Sequence, residues 1–455
     1  MGCSHHATTF SSEPCTDLRL IAAEIADGTF RFPILSYTGR TTQVREVSPR
    51  SNFNLLFPMI LRCLLIILAT FDVIVRAETL QEKPKPAFQY QSGNLSVSAA
   101  SADEPRVRVF GPDSVRSASR YLEAGALSWV REKSCINCHT TGPYLSERPA
   151  LTSFLGTPNS EVLADFVESI PEGPAKEVEK NGPRYIQGSA TAIWCALGLA
   201  EWDRHIIGKV RSETDHALRQ MLSRQSPGGG FVSYGEVEIP HITTDFELSL
   251  QAARALAAAS EWVASLEPGE TRDRIAKLKE WLRSAPSKND FDRVLRLQLG
   301  HYFPDLVSAA DRQTALDLLS SKQHEDGGWS IRDFSAVEDW HFEMSETVLN
   351  LLSSLPDAAD PESDAYMTAL AVVLMRQGGM PASDGRIQKA VAWLKREQRV
   401  SGRWWMHSLY RGNYHYITYI ATAQALKALA LCDELPMVAE EPIAGTINAG
   451  SGGGR

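Results

Sequence analysis

Residues 134–141 read SCINCHTT and place Cys135, Cys138 and His139 at Cys-x-x-Cys-His spacing. Two thiols three residues apart can each form a thioether with a vinyl group of one porphyrin, and the adjacent imidazole can be an axial ligand of its iron. The expected cofactor is covalent haem c, attached through Cys135 and Cys138, with His139 as the metal ligand. Other chemistries use part of this set. A Cys-x-x-Cys pair can act as a redox disulfide. Half of a zinc site would need a second pair that the remaining cysteines do not provide. The spacing can also arise without a function. The second axial position has scattered candidates in Met344, Met406, His341, His407 and His415. An open position would suit peroxide or small-ligand chemistry, and a filled one would suit electron transfer.

Carboxylates offer a second chemistry. Asp290 and Asp292, in Asp-Phe-Asp-Arg, and Glu343, in Trp340-His-Phe-Glu-Met-Ser-Glu346, are the candidate catalytic acids. The plainer reading makes Asp290 an N-cap, Asp292 a first-turn acid and Glu343 a rim charge, all ordinary at helix starts. Asp245 likewise reads as a cap. Glu343, Asp245, His341, Tyr366 and His415 are the polar groups expected near the mouth of a central cavity.

The elements that must position these groups follow from the rest of the chain. Its 455 residues carry a net charge of −9, which gives no electrostatic footprint for nucleic acid. From Met59 a short basic start precedes an apolar run too short to span a bilayer, and Val75-Arg-Ala77 has small-residue cleavage character. Residues 59–77 therefore read as a signal peptide and 1–58 as an over-extended start or a disordered leader. Export to the periplasm or cell envelope follows, with no stable membrane span after cleavage. An exported chain can meet the machinery that attaches haem to thiols, so the two signals support each other. Residues 78–104 read as a linker, 105–433 as one folded unit containing the haem motif, and 434–455 as a disordered tail.

Within 105–433 the pattern is almost wholly helical. Gln225-Ser-Pro-Gly-Gly-Gly-Phe231, Gln323-His-Glu-Asp-Gly-Gly-Trp329 and Gln398-Arg-Val-Ser-Gly-Arg-Trp404 share one frame, each following an amphipathic helix. Glycine allows a positive-φ exit from that helix, and the glutamine amide can satisfy free backbone groups there. A second set of helices, at 189–201, 246–260, 345–355, 365–377 and 418–432, is apolar on most sides and should be buried. Buried inner helices alternating with amphipathic outer ones imply an all-α fold, an α/α toroid of five to six helix pairs. Residues 126–134 align with 390–398, so the cysteine motif falls where other repeats keep their glycine turn.

The Gln-x-x-x-Gly-x-Trp frame and the small-residue helices resemble the squalene–hopene cyclase and protein prenyltransferase superfamily over roughly residues 120–433. The resemblance implies a toroid whose cavity holds an apolar, isoprenoid-like small molecule. Cyclases of that family protonate an alkene or epoxide with an Asp-x-Asp-Asp run; the nearest stretch here is Asp290–Arg293. The zinc triad of the prenyltransferases has no match, and Cys195 and Cys432 read as core residues. The expectation is an exported toroid with one covalent haem. It would bind or transform an apolar small molecule, or pass electrons to a redox partner protein. A haem-free terpenoid cyclase or isomerase and a non-catalytic binding toroid are the alternatives.

Overall fold

The structure is a computed structural model. It describes residues 90–92, 95–97, 102–133, 136, 140–173, 176–179, 184–187, 189–233, 244–336, 350, 354, 359–406 and 416–437. All of them lie in one compact unit, Lys83–Arg455.

Six helices form an inner ring: α2 (Thr141–Glu147), α4 (Ser189–Trp202), α6 (Asp245–Ala258), α9 (Asp290–Tyr302), α11 (Ala365–Gln377) and α13 (Tyr416–Leu431). Each packs against the next, and α13 returns to α2, so the ring is closed. Outside it stand α1 (Pro112–Lys133), α3 (Ser160–Glu168), α5 (Ser212–Ser223), α8 (Glu270–Ser284), α10 (Ala309–Ser321) and α12 (Gly385–Glu397), with the short α7 (Ser260–Ser265) after α6. Among the described residues this is an α/α toroid of six helix pairs. The division follows from composition. Nearly every residue of α4, α6 and α11 is buried, polar ones included, whereas α8 buries Ile275, Leu278 and Leu282 on one stripe.

The repeated motif builds a clasp at three corners. Gln225 donates from Nε2 to the carbonyls of Gly229 (2.6 Å) and Arg274 (2.9 Å). Gln323 does the same to Gly327 (2.8 Å) and Arg386 (2.9 Å), and Gln398 to Gly402 (2.9 Å) and Ser114 (3.0 Å). One amide thus ties its own turn to the backbone of the next outer helix, rather than to the end of its own. For Gln398 the next outer helix is α1, which closes the outer layer. Gly229, Gly327 and Gly402 have φ of 103°, 95° and 94°, a region that costs other residues a clash of Cβ with the backbone.

The aromatic completes the clasp. Phe231, Trp329 and Trp404 are fully buried. Their backbone N–H groups donate to hydroxyls on the inner helices, Ser249 (2.8 Å), Thr368 (2.9 Å) and Thr422 (3.0 Å). Two residues on, the N–H groups of Ser233, Ile331 and Met406 donate to Asp245 (2.7 Å), Asp364 (2.7 Å) and Thr418 (3.0 Å). Trp129 and Trp393 are buried in the outer helices, and Trp393 Nε1 donates to Asp326 Oδ2 at 2.8 Å.

Four expectations need correction. The segment 78–104 is not wholly a linker: Tyr90–Ser92 (β1) pairs antiparallel with Leu95–Val97 (β2), and Glu104 accepts from Ser401 N at 2.8 Å. A second ladder joins Lys176–Glu179 (β3) to Arg184–Gln187 (β4), so two short hairpins decorate the all-α ring. The packed chain runs past residue 433, because Glu434 pairs with Lys395 at 2.6 Å and Leu435 is buried. The caps also shift by one residue. Asn289, not Asp290, caps α9 through Asp292 N, and Thr244, not Asp245, caps α6 through Glu247 N.

Candidate functional site

A toroid's natural site is its lumen, and the inner helices here place charge within it. Glu147, at the end of α2, is buried at the centre. It accepts from Arg254 Nη2 of α6 at 2.7 Å and from Lys427 Nζ of α13 at 2.6 Å. Gln424 reaches the same carboxylate at 3.3 Å, and Gln251 accepts from Arg254 at 2.8 Å. Burial works against ionisation of Glu147, but Arg254 and Lys427 outweigh it and hold the carboxyl down at about 2. Burial likewise opposes the Arg254 charge, yet Glu147 keeps this guanidinium above its usual range. Two atoms of this cluster, Arg254 Nε and Gln424 Oε1, are buried without a hydrogen-bond partner among the described residues. Both residues line a cavity of about 20 Å³, room for about one water, shared with Glu247, Gln298, Tyr366 and Trp194.

This charge lies beside the apolar side chains Trp194, Leu295, Leu370 and Ile420. The helices are apolar on most sides, but α2, α6, α9 and α13 turn long polar residues inward. Glu247, Gln251 and Arg254 recur at i, i+4 and i+7, and Gln424 and Lys427 at i, i+3, which puts each set on one face. That polar stripe within an apolar helix is the signal in the sequence that points to Glu147 and Arg254, and the small-residue reading passes over it. Tyr366, an expected pocket residue, does line the lumen. Its hydroxyl is biased toward the neutral form by burial and then by Glu247.

The candidate acids lie elsewhere. Asp290 pairs with Arg293 and, at 2.7 Å, with Lys322 on the outer side. Asp292 is fully buried; it accepts from Thr244 Oγ1 at 2.7 Å and Lys288 N at 2.9 Å. Burial, and more weakly Glu247, raises its carboxyl above the usual range against those donors. Asp245, Asp290 and Asp292 are not among the residues lining the cavity of about 20 Å³. Their contacts are those of helix starts and clasps.

Asp364, not anticipated from the sequence, has the most perturbed carboxyl of the clasps. It accepts from Met367 N and Ile331 N, both at 2.7 Å. Burial pushes it up to about 7 against these backbone bonds. Its counterparts in the other two clasps are Asp245 and Thr418, so the position serves packing with or without an acid. The sign of its effect on stability is fixed. A native carboxyl at about 7, against about 4 unfolded, means the native state holds the extra proton between those values. Its contribution is therefore greatest below about pH 4 and declines as pH rises to about 7. Asp364→Asn is expected to flatten that part of the pH profile, checked by urea midpoints at pH 4.5, 6 and 7.5.

Cys135, Cys138 and His139 lie outside the described residues, as do His341, Glu343, Met344, His407 and His415. Ile136, between the two cysteines, and Thr140, after the histidine, are buried. Met406 is buried in the third clasp. Cys195 and Cys432 are buried free thiols, as core residues should be. No group of three or more metal-ligating side chains occurs among the described residues. No helix among them is long and apolar enough to cross a membrane.

No family model and no curated protein matches the chain. Among solved structures, it is similar to ent-copalyl diphosphate synthase from Streptomyces platensis (13% identity, TM-score 0.40), covering 64% of this chain and 50% of that one. The chain thus spans half the length of that synthase. It is also similar to the type II terpene cyclase MstE from Scytonema, at 13% identity and TM-score 0.38 over 70% of this chain and 98% of that one. A variant of MstE in complex with geranylgeranyl dihydroxybenzoate, its substrate, gives 13% identity and TM-score 0.37 over 70% and 97%. Likeness at this distance says nothing of chemistry, and the architecture rests on the helix contacts above. The chain is an α/α toroid over its described residues, with a Glu147–Arg254–Lys427 cluster buried between the inner helices.

Proposed function

We propose that this protein is an exported haem-bearing toroid that acts in electron transfer or small-ligand redox chemistry. The observation that carries the reading is the Cys135-Ile-Asn-Cys138-His139 sequence at the entry to α2, within the first helix pair of a folded ring. The donor set fits the group: two thiols for two vinyl carbons, and one imidazole for iron. Ile136 and Thr140, in and just after the motif, are buried. Bound there, haem would supply one-electron chemistry. Cys135 and Cys138 would hold the group by thioethers, and His139 would ligate its iron.

Secretion from a host with haem-attachment machinery, followed by intact-mass analysis, tests the reading. The expected product begins after Ala77, carries one haem that survives acid and organic extraction, and loses it in Cys135→Ser/Cys138→Ser. A colourless protein from such a host would overturn it. The second reading, a haem-free terpenoid cyclase or isomerase acting on an apolar, isoprenoid-like molecule, draws on the buried carboxyl of Asp292 and on Glu343. Cyclic products from squalene-type substrates, lost in Asp292→Asn or Glu343→Gln, would establish it instead.

A further inference from the structure

Where the inner helices end, a second cavity of about 280 Å³ opens to solvent. Glu147 lines both this cavity and the central one, so the charge cluster forms its floor. The charged lining is unbalanced. Glu147 is committed to Arg254 and Lys427, and Glu201 to His205 at 3.2 Å. Arg376 serves the carbonyls of Leu431 (2.9 Å) and Met380 (2.5 Å), the ordinary work of a cation at helix C-termini. Arg204 and His301 also line the cavity, and neither makes a hydrogen bond or ion pair among the described residues. His301 meets the Tyr302 ring edge-on at 5.0 Å. Tyr302 and Leu431 give the cavity apolar wall.

We infer that this pocket binds a small organic carboxylate, its charge among Arg204, Lys427 and His301 and its short apolar body against Tyr302 and Leu431. The volume lies near the lower end for small-molecule pockets, roughly 300 Å³, which sets the ligand at the size of a substituted benzoate or smaller. The excess of cations selects the anion, and the apolar wall selects against a bare inorganic one. The inference stands apart from the haem reading. The segment bearing Cys135 and Cys138 leads into the start of α2, whereas this pocket lies where the inner helices finish.

His301 reports occupancy. Partial burial first, then Lys427 and Arg204, holds its imidazole below the usual value. The other titratable groups lining the pocket are Glu147 from α2, Glu201 and His205 from α4 and the turn after it, Tyr302 beside it, and Arg376 from α11. A bound carboxylate would offset Arg204 and Lys427 and raise the imidazole value.

The experiment titrates the full chain with benzoate and, separately, with inorganic phosphate. The His301 ring signal is followed across pH by NMR of histidine-labelled protein, and affinity by calorimetry. Benzoate is expected to saturate and to raise the His301 value, and exposed Arg204→Ala to weaken binding about tenfold. His301→Gln assigns the signal and should weaken binding as well. No movement of the His301 signal overturns the inference. So does equal binding of phosphate, which would mark adventitious ion association, or an unchanged affinity in both variants.

Discussion

Glu147→Leu is expected to destabilise the folded ring by about 3–5 kcal/mol, read as a fall in urea midpoint at unchanged slope. The substitution leaves Arg254 and Lys427 facing each other across the lumen without their counter-charge. Arg254 is only 3% exposed, and a cavity with room for about one water cannot replace its counter-charge. Removing all three charges is a different matter. Glu147→Leu/Arg254→Met/Lys427→Met should recover most of the loss, because well-packed apolar groups often equal or exceed a buried ion cluster. A triple variant no better than the single one would mean that the cluster contributes through shape rather than charge. The same residue sets an acid limit. With its native carboxyl at about 2 against about 4.3 unfolded, Glu147 stabilises fully above about pH 4.5. That contribution is lost as pH falls from there through about 2. Glu147→Gln should remove this acid-side slope.

Gly402→Ala is expected to cost about 3 kcal/mol or more and to act at the closure of the ring. Gly402 has φ of 94°, and an added Cβ would sit 2.2 Å from the backbone nitrogen of Ala118 in α1. Neither group can yield, since one is mid-helix and the other is held by Gln398. Gly379 provides the control. Its φ is 96°, but an added Cβ there meets nothing within 4 Å, so Gly379→Ala should cost only the conformational term, about 1 kcal/mol. A thermal-unfolding series of the two variants separates strain from collision. Equal losses would show that the approach of the turn to α1 has no energetic weight.

The ring was legible in the sequence because its two signals are local and repeated. A glutamine, a glycine and an aromatic at fixed spacing need only one corner to make sense, and the chain repeats that corner three times. Helices apolar all round announce their own burial. The lumen was not legible in the same way, since its floor is made of residues far apart in the chain. Arg254 lies 107 positions from Glu147, and Lys427 lies 280 away. Read singly, Arg254 in FELSLQAARALAAAS is one cation in an apolar helix, with nothing nearby to name its partner. The acids failed in the opposite sense. Asp290 and Asp292 stand out by spacing, yet their contacts are with the helix they begin and the helix beside it. Asp364 escaped notice because its position in the clasp is clear only beside Asp245 and Thr418.

The latch between the first and last helix pairs has a consequence for assembly. Val107 N donates to Gln398 O, and Val400 N to Pro105 O, while Gln398 reaches Ser114 across 284 positions. A chain delivered from its amino end must hold α1 with one flank bare until the last turn of sequence arrives. Contacts of such separation form late and slow the final step.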